Sequence, residues 1–291
     1  MKIIVTGSLG NISKPLTKEL VEKGHLVTVI SRKLEKQKDI EALGARAAIG
    51  CIQDVKFLST TFTGADAVYC MEPPHNHDLT AEKLAHNYVQ AIQQSGVKHL
   101  VNLSSIGAHT DKGNGILAFY YNMETILNKL PSDVAITFVR PGGFYYNLLR
   151  CIDTIKTQGV IASNYGGDDK IPWASLIDIA AAVAEELVTP FAGRKVRYVV
   201  SDELTCDEVA TILGAAIGKT DLKWIVIPDE QMLNSLIAAG FHPQLAAGFV
   251  EMNASTHSGQ LFEDYYHNRP VLGNVKMKDF AEEFARVYHQ G

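Results

Sequence analysis

The chain has 291 residues, 46% hydrophobic and 20% charged, enough apolar material for an ordinary globular protein with an ample core. A net charge of −5 argues against nucleic acid as a principal partner, because phosphate binding needs a basic face. Cys51, Cys70, Cys151 and Cys206 have no paired spacing and read as reduced thiols, no run approaches the roughly 18 apolar residues of a membrane span, and Met1-Lys2 leads straight into a strand pattern with no signal peptide, so a cytoplasmic location with no membrane partner is expected.

KIIVTG opens the chain as an apolar, β-branched strand. It stops at Thr6-Gly7-Ser8-Leu9-Gly10-Asn11-Ile12-Ser13, and a helical pattern then begins at Pro15 and Leu16. Strand, glycine turn and helix is the construction that offers backbone N–H groups to a pyrophosphate at a helix N-terminus. Gly7 permits the tight turn and Gly10 a close approach to the phosphates, while Ser13 fills the third position of the fingerprint. Gly7, Ser8, Leu9, Gly10, Asn11 and Ile12 are the expected phosphate-binding residues. The second strand, LVTVIS, ends at Ser31-Arg32-Lys33, about 20 residues beyond the glycines, where the adenosine ribose is read. An NAD site places an acid there. Ser31 followed by two cations favours the 2′-phosphate of NADP(H), with Ser31 donating a hydrogen bond, Arg32 pairing bidentately and Lys33 adding positive potential.

Further strands are expected at RAAIGC, AVYCM, HLVNLSS and AITFVRP, separated by helices over about 14–23, 33–43, 79–95 and 119–130. This rhythm implies an α/β fold with a doubly wound, parallel Rossmann-type sheet. Met71, Glu72 and Pro73 end the fourth strand and are expected to touch the cofactor. His75 and His77 follow on a loop without further ligands at metal spacing, so no metal is expected, and Asp78 suits a helix N-cap. Ser104, after the fifth strand, is a candidate partner for substrate or nicotinamide amide. Pro141, Gly142 and Phe144, after the sixth, are candidate cofactor contacts, with Phe144 as a wall.

Beyond Pro141 the rhythm loosens. DIAAAVAEELV (178–188) reads as a helix and RKVRYVVS as a strand near 196–201 returning to the sheet. Thr205-Cys206-Asp207-Glu208 matches a capping box. EQMLNSLIAAG, QLAAGFVEMNAST and KMKDFAEEFARVYHQ read as helices. The expected organisation is an NADP-binding domain over 1–155, joined by that late strand, and a smaller, mostly helical region over 156–291. The second region is expected to hold substrate or act as a lid over the sheet's carboxyl edge. Tyr145, Tyr146, Trp173, Phe241, Tyr265 and Tyr266 are candidates for an aromatic pocket, although each alone suits core packing.

Several of these features occur together: TGSLGNIS, SRK, LSS, Tyr121-x-x-Glu124, Arg140-Pro141-Gly142-Gly143-Phe144 with Asn147, Asp178-Ile179-Ala180 and the Thr205 segment. Over nearly the whole length the chain resembles NmrA-like members of the atypical short-chain dehydrogenase/reductase superfamily. The resemblance implies one of two functions. One is an NADPH-dependent reductase of a small conjugated or aromatic acceptor, quinone-like. The other is a non-catalytic NADP(H)-binding redox sensor acting through a protein partner. The wider superfamily uses Ser, Tyr and Lys, with Tyr-x-x-x-Lys on one helix. Here Glu124 and Thr125 stand four residues after Tyr120 and Tyr121, and Tyr120 holds a position where many relatives carry lysine. Catalytic residues are therefore unassigned, with Tyr120, Tyr121 and Ser104 as candidates, and hydride transfer is expected to proceed without a triad. Lacking a nearby cation, Tyr120 is expected to be a hydrogen-bond donor or a wall and not a base, so Tyr120→Phe is expected to leave quinone reduction within about tenfold.

Overall fold

In a computed structural model describing residues 1–72 and 80–290, the first half alternates short apolar strands with helices. The strands are β1 (Lys2–Val5), β2 (Leu26–Ser31), β3 (Arg46–Ile49), β4 (Ala67–Cys70), β5 (His99–Leu103) and β6 (Ala135–Pro141). The helices are α1 (Ser13–Glu22), α2 (Gln37–Ala42), α3 (Val55–Phe62), α4 (Ala81–Ser95) and α5 (Ala118–Leu127). After β6 come β7 (Gly143–Phe144), α6 (Ile152–Gln158), β8 (Val160–Ser163), β9 (Lys170–Ala174), α7 (Leu176–Val188) and β10 (Arg194–Val199). The rest comprises β11 (Asp202–Thr205), α8 (Cys206–Ala216), β12 (Lys223–Val226), α9 (Asp229–Ala238), α10 (Pro243–His257), α11 (Glu263–His267) and α12 (Met277–Gln290).

The chain divides into two compact units, each drawn from three stretches. The first comprises Met1–Ser105, Phe119–Arg140 and Ile179–Arg197; the second comprises Ile106–Ala118, Pro141–Asp178 and Tyr198–Gly291. A seven-stranded sheet, in the order β10-β6-β5-β4-β1-β2-β3, organises the first unit. Pairing is parallel from β6 through β5, β4, β1 and β2 to β3, which is the doubly wound arrangement expected. Every residue of β4 and β6 is buried, as parallel strands covered on both faces require. One face buries Ile4, Ile30, Val68, Leu100, Ile136 and Phe138 beneath Leu58, Phe62, Leu84, Tyr88 and Leu127 from the helices. At the sheet edge, buried Glu186 accepts from Thr137 of β6 and pairs with Lys195 and Arg197 of β10.

The second unit has its own core, in which Ile155, Ile161, Trp173, Val209, Leu213, Trp224, Tyr265 and Phe284 are fully or nearly fully buried. Its small sheets run β11-β9-β7 and β12-β8. These short strands were not expected in a region read as mostly helical. The helices from Pro228 onward do form, and Thr205 closes the expected capping box with Glu208. Helix α4 is capped by Thr80, two residues past the Asp78 suggested by the sequence; Asp78 itself lies outside the described residues, as do Pro73, His75 and His77. Among the described residues, no helix is long and apolar enough to cross a membrane.

Candidate functional site

The carboxyl ends of β1, β2, β4 and β5 set the candidate site of the first unit. At the end of β1, Thr6 is fully buried and fastens β1 to β4 twice: its N–H donates to the Tyr69 carbonyl at 3.1 Å, and its hydroxyl oxygen accepts from the Met71 N–H at 3.0 Å. Gly7 follows with φ +90, a conformation that favours glycine. A Cβ there would lie 2.6 Å from Ser13 Oγ and 3.0 Å from the Met71 sulfur. Ser8 is in the left-handed region at φ 56, the only such non-glycine among the described residues. Its N–H donates to the Ile30 carbonyl at 3.0 Å and its hydroxyl to Ser31 Oγ at 3.0 Å, which ties the turn to the end of β2.

Gly10 and Asn11 are exposed where α1 begins, followed by buried Ile12. Among the described residues, the only atom near a Cβ built on Gly10 is the Gly7 carbonyl oxygen, at 3.1 Å. Ile12 occupies the N-cap in helical conformation and supplies no side-chain cap, and Pro15 lies in the first turn, where a missing N–H leaves no hydrogen bond unmade. The N-terminal dipole of α1 therefore ends on bare backbone beside an open glycine, an arrangement that fits a pyrophosphate. Ser13 has a purely internal role: its buried hydroxyl donates to the Thr6 carbonyl at 2.9 Å.

The end of β2 divides the work expected of Ser31, Arg32 and Lys33. Ser31 is 2% exposed, and its oxygen accepts from Ser8 Oγ and from the Lys33 N–H at 3.2 Å. Its hydroxyl lies within the turn and donates to the Lys33 carbonyl at 3.3 Å. Lys33 is exposed and lies 3.8 Å from the Glu35 carboxylate, a pair that solvent screens. Arg32 is exposed and makes no ion pair among the described residues. An unpaired guanidinium at this place fits a 2′-phosphate.

At the end of β4, the Met71 carbonyl accepts from the buried Tyr88 hydroxyl at 2.9 Å, which fixes the chain just before Glu72. Tyr120 of α5 lies near enough to Glu72 for each to bear on the other's acidity. Burial pushes the Glu72 carboxyl up to about 7, with nearby Tyr120 pulling the other way. Tyr120 is raised above the ordinary phenol range, first by burial and then by Glu72. Its neighbour Tyr121 is half-buried and about 100° round the helix.

Ser104 is 3% exposed, and its hydroxyl donates to Glu124 Oε1 at 2.5 Å. Arg140 forks onto the same carboxylate, with Nε at 2.9 Å from Oε1 and one terminal nitrogen at 2.6 Å from Oε2. The helix position where the wider superfamily carries lysine thus holds the counterion of a buried arginine. Ser104 completes that pair and has no hydroxyl proton to offer a ligand.

In the second unit, Pro141 and Gly142 are buried and Phe144 half-buried. A Cβ on Gly142 would lie 2.2 Å from the Pro172 carbonyl oxygen, so this glycine serves the approach of the chain to β9. Phe144 extends β7 opposite Ala174. Of the aromatic residues considered for a pocket, Tyr145, Trp173 and Tyr265 belong to the core, Phe241 packs edge-on to Phe249, and Tyr146 and Tyr266 are exposed. Among the described residues, no three His, Cys, Asp or Glu side chains gather as they would around a metal ion.

The chain is similar to known proteins in both sequence and fold. An NAD(P)H azoreductase from Xenophilus azovorans is 28% identical over 255 residues, covering 87% of this chain and 86% of its own. The fold matches an NADPH-dependent quinone oxidoreductase from Escherichia coli, solved with NADPH, at a TM-score of 0.83 and 19% identity, over 97% of this chain and 99% of that one. It also matches a Citrobacter sp. triphenylmethane reductase solved with NADP(H), at a TM-score of 0.81 and 19% identity, over 98% of this chain and all of that one (100%). The sequence model of the NmrA-like family matches residues 1–278, and the chain belongs to that family.

Proposed function

We propose that the protein is an NADPH-dependent reductase of a small conjugated or aromatic acceptor, of quinone or azo type, working without a Ser-Tyr-Lys triad. The observation that carries this reading is the joined glycine turn and β2 end. Bare backbone at the start of α1 suits a pyrophosphate, and the Arg32 guanidinium, which has no ion pair among the described residues, suits a 2′-phosphate. The azoreductase and quinone reductase relatives support the acceptor class.

NADPH, when bound, supplies the hydride and so the redox chemistry. The protein supplies the rest. Gly7, Ser8, Leu9, Gly10, Asn11 and Ile12 hold the pyrophosphate, while Arg32 and Lys33 select the phosphorylated ribose. Met71 and Glu72 border the cofactor at the end of β4. Because the Glu124 carboxylate is taken up by both Ser104 and Arg140, Ser104 and Glu124 orient no carbonyl and lower no phenol. Positioning of acceptor against cofactor is the principal contribution.

Calorimetry with NADPH and NADH, paired with NADPH oxidation at about 340 nm against azo dyes and quinones, tests both halves. NADPH preference and turnover above the rate in free solution are expected. Equal or better NADH affinity removes the cofactor assignment, and firm NADPH binding without turnover of any acceptor moves the reading to a redox sensor.

A further inference from the structure

A glycine turn suited to a pyrophosphate and an arginine suited to a ribose phosphate are joined in the first unit by one side-chain contact. The Ser8 hydroxyl donates to Ser31 Oγ at 3.0 Å, across 23 residues of sequence. Ser31 Oγ in turn accepts from the Lys33 N–H at 3.2 Å and donates to the Lys33 carbonyl at 3.3 Å. A serine oxygen that takes the N–H two residues on closes a local turn, and the residue inside this one is Arg32. Both ends of the turn are also held from outside. The Ser31 carbonyl accepts from the Gly50 N–H at 2.9 Å, just past β3, and the Lys33 carbonyl accepts from the Lys36 N–H at 3.1 Å. The backbone on either side of Arg32 is therefore set, and its exposed side chain is what is left to rotate.

Ser8 makes this contact from a strained backbone. At φ 56 it is the only non-glycine residue in the left-handed region among the described residues. An L-residue is disfavoured there, and such strain persists where the surroundings over-determine it. Glycine would adopt the same backbone without that penalty. The backbone bond of this position does not call for serine either: the N–H of residue 8 donates to the Ile30 carbonyl at 3.0 Å, as any residue but proline could. What glycine lacks is the hydroxyl. The strain is thus held against one hydrogen bond, and that bond ends on the oxygen that shapes the turn around Arg32.

We propose that Ser8 is a positioning residue for recognition of the 2′-phosphate: acting through Ser31, its hydroxyl presets the turn that presents Arg32, so that part of the preference for NADPH is set in the glycine turn. This rests on the cofactor half of the reading above and needs none of its acceptor chemistry. Arg32 makes the contact, Ser31 shapes the turn, and Ser8 holds Ser31.

The physical gain is preorganisation. A guanidinium forks onto a phosphate over a narrow range of directions, so the direction in which the turn aims it matters. A backbone ordered before binding has no ordering left to do when the ligand arrives. The hydroxyls also reinforce each other, since a hydroxyl that accepts from Ser8 is a better donor to the Lys33 carbonyl. Ser31 is 2% exposed, which shields this chain of bonds from competing water. Lys33, half of an exposed pair with Glu35, receives no comparable restraint on its side chain.

Titration calorimetry on the full-length protein tests this with two ligand pairs, NADPH against NADH and adenosine 2′,5′-bisphosphate against adenosine 5′-monophosphate. Each pair differs by the 2′-phosphate alone. Ser8→Ala and Ser8→Gly should both lower the preference for the phosphorylated member by about two- to tenfold, the scale of one net hydrogen bond. Ser8→Ala keeps the backbone strain and Ser8→Gly relieves it, so Ser8→Gly should unfold at the higher temperature while losing the preference alike. Ser31→Ala should lose at least as much. Adding Ser8→Ala to Ser31→Ala or to Arg32→Ala should change the preference no further, because the path from Ser8 runs through both. A preference lost in Ser8→Ala and restored in Ser8→Gly overturns the proposal, since it assigns the effect to the backbone. A preference unchanged in both variants, or a loss in Ser8→Ala that adds in full to that of Arg32→Ala, overturns it and leaves the NADPH assignment standing. Wild-type protein that does not favour the 2′-phosphate in either pair removes both.

Discussion

Arg32 and Lys33 stand one peptide apart at the end of β2, yet their surroundings differ: Lys33 has Glu35 at 3.8 Å, and Arg32 has no ion pair among the described residues. Arg32→Ala should therefore weaken NADPH binding by about 1.5–3 kcal/mol, the scale of a charge-assisted hydrogen bond, and leave NADH binding nearly unchanged by calorimetry. A loss equal for both cofactors would show that Arg32 stacks on adenine without reading the 2′-phosphate. Glu124 has the opposite character, since its carboxylate is 7% exposed and pairs with an arginine side chain 9% exposed. Removing one partner of a buried pair costs about 3–5 kcal/mol, so Glu124→Ala should lower urea stability on that scale without a selective effect on cofactor choice. Glu72 adds a pH-dependent effect of its own. Folding raises its carboxyl from 4.5 to about 7, so the stability it contributes is fully present below 4.5 and lost as pH rises through about 7. Glu72→Gln should be more stable than wild type by about 1–3 kcal/mol at alkaline pH, with the gap closing in acid. A constant difference across pH would contradict that assignment. The sequence shows that lysine is missing from α5, but it cannot show what Glu124 and Glu72 do instead. Arg140 and Tyr120 reach these acids only through tertiary packing, and no local period marks either pair. Ser31 shows the same limit: a serine beside two cations suits a phosphate donor, and its hydrogen bond from the Ser8 hydroxyl belongs to the folded turn and has no mark in the sequence.

Among the elements, glycines at two tight contacts make the sharpest predictions. Gly7→Ala combines φ +90 with a Cβ 2.6 Å from Ser13 Oγ, so it should cost about 1–3 kcal/mol and distort the turn that would hold the pyrophosphate. Thermal unfolding and NADPH calorimetry should fall together. In the second unit, Gly115 has φ +52, and a Cβ there would lie 1.9 Å from the carbonyl oxygen of Gly248 on α10. That neighbour is backbone and cannot rotate away, so Gly115→Ala should destabilise by at least as much as Gly7→Ala, about 1–3 kcal/mol or more. Differential scanning calorimetry would rank the two. The elements legible in the sequence are those with a strong local signature: the β-branched strands of the parallel sheet, the glycine turn, and the Thr205 capping box with both of its hydrogen bonds. Helix α3 escaped because its eight residues hold two threonines and a serine, weak helix formers whose hydroxyls bond back to the preceding turn. The small strands of the second unit escaped because they are short, and β9 carries Pro172 in its middle.

Taken as one molecule, the protein has a legible fold class and an illegible plan of connection. The alternation of strands and helices announces a doubly wound sheet, but the sharing of three stretches by each unit is a tertiary fact. The chain passes from one unit to the other after Ser105, Ala118, Arg140, Asp178 and Arg197. A fragment ending at Arg140 would carry the first strands of the large sheet yet lack β10 and the Glu186 cluster that joins it to β6. Such a fragment should be insoluble or lack a cooperative transition, and adding back the rest of the chain in cis should restore one. The position of β10 also matters during synthesis. Strand β6 is buried along its whole length in the finished protein, and its outer partner is not made until Arg194–Val199. At about 5–20 residues per second, the roughly 50 residues between the two strands take about 3–10 s to translate. For those seconds a nascent chain carries an apolar β edge with nothing beside it, the kind of edge that recruits other strands. The interval in which this protein is most exposed to aggregation is therefore set by the ribosome's pace across the intervening segment, and slowing translation there should lengthen it.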